Sequence, residues 1–178
     1  MKNALYIARL TGVLLLLTAV VAGMLAFVNS ITKDSIAAQT AEKADAAKRQ
    51  VLEAETYTAL DTGDNAAIKE AYVADELGFV VRVAPNGYGG EIDMMVGISA
   101  DGKITGVAII SHAETASLGA EATREDWRAQ FEGLGGSVAV DKDGGAIEAL
   151  TGATVTSRAV VKGVNDALAF VESLGVLE

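Results

Sequence analysis

Hydrophobic positions are distributed very unevenly along the 178-residue chain. Residues 10–28 contain no charged side chain, and at about 1.5 Å per residue a helix of this length nearly spans a bilayer core of about 30 Å. The segment is apolar on all sides, which disfavours a buried helix of a soluble domain. It also ends without the small-residue pattern of a cleaved signal peptide. The sequence therefore predicts an uncleaved transmembrane helix over residues 10–28, preceded by a tail of residues 1–9.

Residues 29–51 are rich in alanine and interspersed charges and contain neither glycine nor proline. This composition favours a helical stalk that continues from the membrane. A flexible charged tether would have the same composition, so both interpretations stay open. The cluster Thr62-Gly63-Asp64-Asn65 then predicts a turn. We expect the folded domain to occupy residues 52–178.

Short β-branched and alternating segments predict a sheet in this domain. The first is Gly78–Ala84, and a glycine-dense loop at residues 85–90 follows it. Residues 92–99 then alternate in polarity, and residues 104–111 provide a return strand beyond the turn signal Asp101-Gly102. Because strands joined by hairpins pair antiparallel, the pattern favours an α+β fold over a doubly wound α/β fold.

Two helices are predicted to flank the sheet. The first is a short helix over Thr123–Phe131, which contains the single tryptophan of the chain. The second covers Ser157–Leu174, where apolar residues recur at helical spacing and Gly175 follows as a stop signal. We expect this amphipathic helix to pack on the sheet.

The composition removes several classes of function. The chain has no cysteine, which excludes disulfides, cysteine-ligated metal centres and thiol catalysis. His112 is the single histidine, so neither a histidine-rich metal site nor a multi-histidine relay can form. A formal net charge of −10 disfavours a nucleic-acid partner. We therefore expect no catalytic side chain and no metal ligands in this chain.

The segment 148–157, just before the last predicted helix, has two interpretations. In the first it is a helix cap, in which Thr156 or Ser157 accepts the first free backbone N–H groups and Gly152 allows a tight turn. In the second, the same N–H groups and the positive end of the helix bind a phosphate. The segment lacks the glycines and the lysine of a nucleotide-binding P-loop.

The tetrad Thr151-Gly152-Ala153-Thr154 resembles the flavinylation motif of FMN-binding domains, in which the final threonine is esterified by the phosphate of FMN. Residues 88–92, the hairpin at residues 101–104 and residues 112–119 extend the resemblance to the RnfG subunit of the Rnf ion-translocating oxidoreductase complex. The family usually has aspartate where this chain has Glu148, and Pro-Gly where it has Ala116-Ser117. Because a residue without the freedom of glycine is restricted to negative φ, we expect a loop of different shape at Ser117. Glu148 keeps the charge but shifts it by one methylene, which would slow attachment if the transferase recognises that carboxylate closely.

The resemblance implies a set of cofactor-binding residues around a covalently bound FMN on Thr154. Residues of the motif and those next to it in the sequence would hold the phosphate of FMN. His112, Glu114 and Thr115 would shape the flavin pocket, with Leu118 packed against the ring. For His112 a purely structural hydrogen-bonding role stays open, as does surface packing for Tyr88. The full predicted set is Thr154, Thr151, Gly152, Ala153, Thr156, Glu148, His112, Glu114, Thr115 and Leu118.

The resemblance further implies an electron-transfer subunit of a membrane-bound Rnf-type complex that couples ferredoxin and NAD redox to sodium or proton translocation. Its partners would be the other membrane and peripheral subunits and a flavin transferase for maturation. One apolar helix without ionisable residues offers no ion path, so we expect no independent turnover. The transferase of the family acts outside the cytoplasm. We therefore expect a cytoplasmic N-terminus and an extracytoplasmic FMN domain, which the count of basic residues alone does not decide.

Two alternatives remain at the level of sequence. One is the corresponding subunit of a sodium-pumping NADH:quinone reductase, which shares the flavin motif. The other is a non-redox membrane anchor or assembly protein, in which the segment at residues 151–154 is only a helix cap. A colourless purified domain would be typical of the second.

Overall fold

The computed structural model of the chain describes residues 2–63 and 65–175. Met1 of the predicted tail, Asp64 of the predicted turn and residues 176–178 of the predicted domain lie outside the described residues. The chain divides into two compact units between Ala41 and Glu42.

Helix α1 runs from Lys2 to Val51. It contains a segment that is long and apolar enough to cross a membrane, with a mean hydropathy of 2.4. Large apolar side chains of this segment, such as those of Leu14 and Phe27, are exposed. An exposed apolar surface of this kind is suited to contact with lipid. A helix can also cross the hydrocarbon core because its backbone hydrogen bonds are made within the helix. The same helix continues through residues 29–51, for which the sequence left a helix and a tether open.

The second unit is built on an antiparallel sheet with the strand order β1-β2-β3-β4-β5. This arrangement confirms the predicted α+β class. The sequence patterns did not predict the first two strands, because the first has only four residues and the second is interrupted by a register shift between Ile68 and Glu70 that hides its alternation. The strands are β1 (Tyr57–Leu60), β2 (Ile68–Ala74), β3 (Gly78–Val83), β4 (Ile92–Ser99) and β5 (Ile104–His112).

Both faces of the sheet are covered, so strand β4 is buried on its two sides. Helix α3 (Thr154–Ser173) packs on one face, where Val96 belongs to the larger core cluster. The last turns of α1 pack on the other face, where Ala47 and Val51 join Met95. The alternation of residues 92–99 therefore does not separate a buried face from an exposed one.

The end of α1 approaches the sheet at a glycine pair. Gly97 of β4 lies opposite Gly106 of β5, and a Cβ atom at Gly97 would stand 2.5 Å from the carbonyl oxygen of Val51. The hydroxyl of Thr105 donates to that same oxygen at 2.5 Å. The absence of a side chain at Gly97 thus allows the backbone of the helix to rest on the strand.

The connection between β5 and α3 consists of short helical turns. The predicted helix over residues 123–131 is in fact three pieces, and α3 begins at Thr154 instead of Ser157. The indole N–H of Trp127 donates to the carbonyl oxygen of Glu148 at 2.8 Å, which ties the motif segment to the core. The short elements are the 3₁₀ helix Gly119–Thr123, α2 (Glu125–Arg128), and the 3₁₀ helices Ala129–Phe131 and Asp141–Asp143.

Candidate functional site

A cavity of about 610 Å³ opens at the N-terminal end of α3, and we refer to it as the α3 cavity. Its volume is within the usual range for small-molecule sites. Four parts of the chain form its walls: the glycine-dense loop before β4, the segment after β5, the 3₁₀ helix Asp141–Asp143, and the motif with the start of α3. The lining residues are Tyr88, Glu114, Thr115, Leu118, Gly119, Lys142 and residues 152–156.

The buried carboxylate of Glu114 joins three of these walls. Its Oε1 atom accepts the backbone N–H groups of Tyr88 and Gly89 at 2.8 and 3.0 Å. Its Oε2 atom accepts the hydroxyl of Thr156, in the first turn of α3, at 2.6 Å. A Cβ atom at Gly87 would stand only 2.2 Å from Oε1. The loop can therefore close over the carboxylate only because this position is glycine.

The start of α3 carries no side-chain cap. The hydroxyl of Thr156 is bonded to Glu114, while that of Ser157 donates to the carbonyl of Ala153 at 3.1 Å and accepts the N–H of Leu150 at 3.0 Å. Both residues lie inside α3, whose N-cap position is Ala153, so the interpretation of Thr156 or Ser157 as the helix cap is wrong. The first backbone N–H groups of α3 remain available for an acceptor at the positive end of the helix dipole, an arrangement that favours an anion.

The turn before the helix requires a glycine. Gly152 has a φ of +76°, which other residues adopt only at a cost. A Cβ atom there would also stand 3.1 Å from a methyl group of Leu118. Gly152 thus lets the motif fold tightly beneath Leu118, and Thr154 becomes the first helical residue, half-buried in the wall of the cavity.

A lysine that the sequence analysis did not single out contacts Thr154. The ammonium group of Lys142 donates to the Thr154 hydroxyl at 2.9 Å. The neighbouring Asp143 accepts two hydrogen bonds from Arg158, at 2.7 and 2.6 Å, and this partner lowers the pKa of the Asp143 carboxyl below its usual value. One feature of the sequence could have indicated this contact. Lys142 is a cation 12 residues before Thr154, next to the glycine pair Gly144-Gly145.

The rim of the α3 cavity is apolar and exposed. Tyr88, Leu118 and Val155 are 75%, 44% and 52% exposed respectively. All three line the cavity. An exposed apolar patch next to a cavity is typical of a binding surface.

The remaining predicted residues lie at the edge of this site or beyond it. His112 is half-buried at the end of β5, where its Nδ1 atom accepts the N–H of Glu114 at 3.2 Å, and it does not line the α3 cavity. Glu148 and Thr151 line a neighbouring cavity of about 690 Å³. Leu118 borders both cavities.

The loop at Ala116-Ser117 adopts a conformation that was not expected. Ser117 has a φ of +61°, so the restriction to negative φ that we predicted from the loss of glycine is wrong. A left-handed conformation at a non-glycine residue costs about 1–2 kcal/mol. Ser117 is exposed and lies in a turn in which the carbonyl of Thr115 accepts the N–H groups of Leu118 and Ala120 at 3.3 and 3.2 Å. These backbone bonds accompany a conformation that glycine would adopt freely.

Substitution of Glu114 tests the role of its carboxylate in the cavity wall. We expect Glu114→Ala to lower the free energy of unfolding of the domain by roughly 3 kcal/mol, because two N–H groups and one hydroxyl lose their acceptor. Glu114→Gln keeps one acceptor oxygen and should lower the free energy of unfolding by about half as much. Urea unfolding of the full chain in detergent, followed by Trp127 fluorescence, measures both. An alanine variant as stable as the parent would contradict this role.

Comparison with known proteins identifies two regions. Residues 1–51 match the RnfG N-terminal region and residues 87–169 match the FMN-binding domain. The RnfG-type subunit of the ion-translocating oxidoreductase complex of Erwinia tasmaniensis is 35% identical, over 93% of this chain and 90% of the relative. The equivalent subunit of the Na(+)-translocating ferredoxin:NAD(+) oxidoreductase complex of Acetobacterium woodii is 32% identical, over 93% of this chain and 92% of the relative.

A solved structure shares the fold of the chain. It is the NqrC-type subunit of the Na(+)-translocating NADH-quinone reductase from Parabacteroides distasonis, with a TM-score of 0.55 and 15% identity, covering 78% of this chain and 96% of that one. At this level of identity the likeness concerns the fold alone. The sequence relatives are 32–35% identical over 93% of this chain, and on them this chain belongs to the RnfG family of subunits of ion-translocating oxidoreductase complexes.

Proposed function

We propose that this chain is the FMN-carrying electron-transfer subunit of a membrane-bound Rnf-type complex, which couples ferredoxin and NAD redox to sodium or proton translocation. The names of the full-length relatives and the match to the FMN-binding domain support this function. A chain without cysteine and with one histidine has no redox chemistry of its own. A bound flavin supplies the electron transfer, while the protein positions it and sets its electrostatic surroundings.

We further propose that FMN is attached to Thr154 through a phosphoester. The observation that carries this proposal is the position of the Thr154 hydroxyl, at an uncapped helix start in the wall of the α3 cavity, with a cation 2.9 Å away. The Oγ1–phosphorus bond forms as a phosphorus–oxygen bond in a flavin nucleotide donor breaks. The hydroxyl proton passes to the leaving group or to a base of the transferase.

The other residues of the cavity suit the parts of FMN. The free N–H groups at the start of α3 would hold the phosphate oxygens. Tyr88, Leu118 and Val155 would cover the apolar ring system, because they are the exposed apolar side chains of the rim. Thr115 adds a polar group to the wall, and the bonds of Glu114 keep that wall closed.

We also propose that the N-terminus is cytoplasmic and the FMN domain extracytoplasmic, with other membrane and peripheral subunits and a flavin transferase as partners. The single candidate membrane span among the described residues supports a single-pass membrane subunit. A phosphoester keeps FMN from being lost to the medium outside the cell. This advantage is greatest for a domain that cannot reload from the cytoplasmic flavin pool.

Neither alternative from the sequence is favoured. The NADH-quinone reductase subunit shares the fold at 15% identity, whereas the relatives at 32–35% identity over more than nine-tenths of the chain are Rnf-type subunits. A non-redox anchor would not account for the match of residues 87–169 to the FMN-binding domain.

Substitution of Thr154 tests the attachment. We expect Thr154→Ala to remove all covalent FMN, because the acceptor oxygen is lost, and Thr154→Ser to keep part of it. The measurement is intact mass of the full chain after coexpression with a flavin transferase. Thr58→Ala, which removes an exposed hydroxyl from β1, is the matched control and should carry FMN as the parent does. Covalent flavin on the Thr154→Ala variant would refute the assignment.

The absence of native cysteine makes the orientation testable by single-cysteine labelling. Glu132→Cys introduces a thiol at an exposed position of the domain, and Asn3→Cys introduces one in the tail. In right-side-out membrane vesicles, we expect a membrane-impermeant maleimide to label the first variant directly and the second only after the vesicles are opened. The reverse pattern would place the FMN domain in the cytoplasm.

A further inference from the structure

We propose that Lys142 is a positioning residue for flavin attachment, in that its ammonium group orients and polarises the Thr154 hydroxyl and then neutralises the phosphodiester. This inference rests on the proposed function of Thr154. It begins from the hydrogen bond of 2.9 Å between Lys142 Nζ and Thr154 Oγ1.

The turn that carries Lys142 is fixed on both sides. The Oδ1 atom of Asp141 accepts the backbone N–H of Lys142 at 2.8 Å and that of Ala149 at 3.0 Å, which ties the turn to the motif segment. Asp141 N–H in turn donates to the carbonyl of Ile147 at 2.7 Å. The backbone of Lys142 is thus held next to the start of α3.

Lys142 and the next residue, Asp143, form hydrogen bonds with residues in two successive turns of helix α3. Lys142 contacts Thr154, and Asp143 binds Arg158 through both of its carboxylate oxygens. Thr154 and Arg158 are four residues apart on α3 and therefore lie on the same face. An exposed ion pair of this kind adds little stability, but it fixes which way the turn faces and so directs Lys142 towards the hydroxyl.

The pairing of Asp143 with Arg158 also determines which charge faces Thr154. Arg158 is occupied by Asp143, and among the described residues Lys142 forms no ion pair with a carboxylate. Its positive charge is therefore available to the hydroxyl. Since an ammonium group donates and cannot accept, it occupies a lone pair of Oγ1 and leaves the hydroxyl hydrogen free to be removed.

The charge of Lys142 matches each stage of attachment. Negative charge develops on Oγ1 as its proton leaves, and the phosphodiester that results keeps one negative charge. A hydrogen bond from a charged donor is about twice as strong as a neutral one. The free N–H groups of the helix start act on the phosphate oxygens from one side, and Lys142 acts from the other.

The test compares charge-matched lysine substitutions in the full chain coexpressed with a flavin transferase. The fraction of chain carrying FMN on Thr154 is followed over time by intact mass and peptide mapping. We expect Lys142→Gln to slow attachment about tenfold, as for the loss of one charged hydrogen bond, and Lys142→Arg to restore most of the rate. Lys162→Gln removes the same charge from a distant exposed site on α3 and should match the parent.

A second measurement separates this role from a structural one. Because Lys142 is exposed, Lys142→Gln should leave the urea unfolding midpoint of the domain unchanged while attachment slows. Attachment on Lys142→Gln as fast as on Lys162→Gln would overturn the inference, and so would an arginine variant as slow as glutamine. If the parent chain itself acquires no FMN on Thr154, the proposed function fails and the inference fails with it. If only the variants contradict expectation, the attachment site stands and the role of Lys142 does not.

Discussion

The buried carboxylate of Glu114 is the interaction on which the candidate site depends. It lies just beyond strand β5 and accepts hydrogen bonds from the glycine-dense loop on one side and from the first turn of α3 on the other. Each of those donors would otherwise be a polar group without a partner in a partly buried place, at a cost of about 1–3 kcal/mol. Thr156 is the third residue of α3, so its hydroxyl lies inside the helix and donates to Glu114 instead of capping the first N–H groups. One carboxylate thus closes the cavity wall, while the N-cap position Ala153, which has no capping side chain, leaves the helix start open to an anion.

The sheet gives this arrangement a rigid base. Strand β4 is buried on both faces, between α3 and the last turns of α1, and Gly97 allows α1 to rest directly on the strand. The loop that precedes β4 and the segment that follows β5 leave the sheet from neighbouring strands. Their meeting at Glu114 is therefore a consequence of the antiparallel pairing. A flavin held at that point would be positioned by the most deeply buried part of the domain.

Much of the fold could be predicted because its signals are local. The transmembrane segment, the Asp101-Gly102 hairpin and the final amphipathic helix each depend on a pattern within a few residues. Strand β1 was missed because it has only four residues, and strand β2 because a register shift breaks its alternation. The short helix at residues 123–131 was predicted in one piece, and local spacing could not show that it is divided into three.

The residues of the candidate site also fall into two groups, those that a local motif identifies and those whose contacts depend on the tertiary fold. Thr154 and Gly152 could be named from a four-residue motif, and the φ of +76° at Gly152 agrees with the tight turn that was expected there. The partners of the Glu114 carboxylate could not be named, because they lie 25 to 42 residues away in the sequence and only the tertiary fold brings them together. Lys142 is only 12 residues from Thr154, but no local pattern shows that the intervening turn directs its side chain to that hydroxyl. Ser117 shows the limit of a conformational rule, since a serine adopts a φ of +61° where glycine would be relaxed.

Covalent attachment of FMN to Thr154 can be tested by intact mass and peptide mapping of the chain purified from its native membrane. We expect a mass increase equal to FMN less one water, located on the peptide that contains Thr154, on a chain that still carries its N-terminal helix. An unmodified Thr154 peptide in a chain from active membranes would contradict the account, because the start of α3 would then be an open helix end without a covalent flavin.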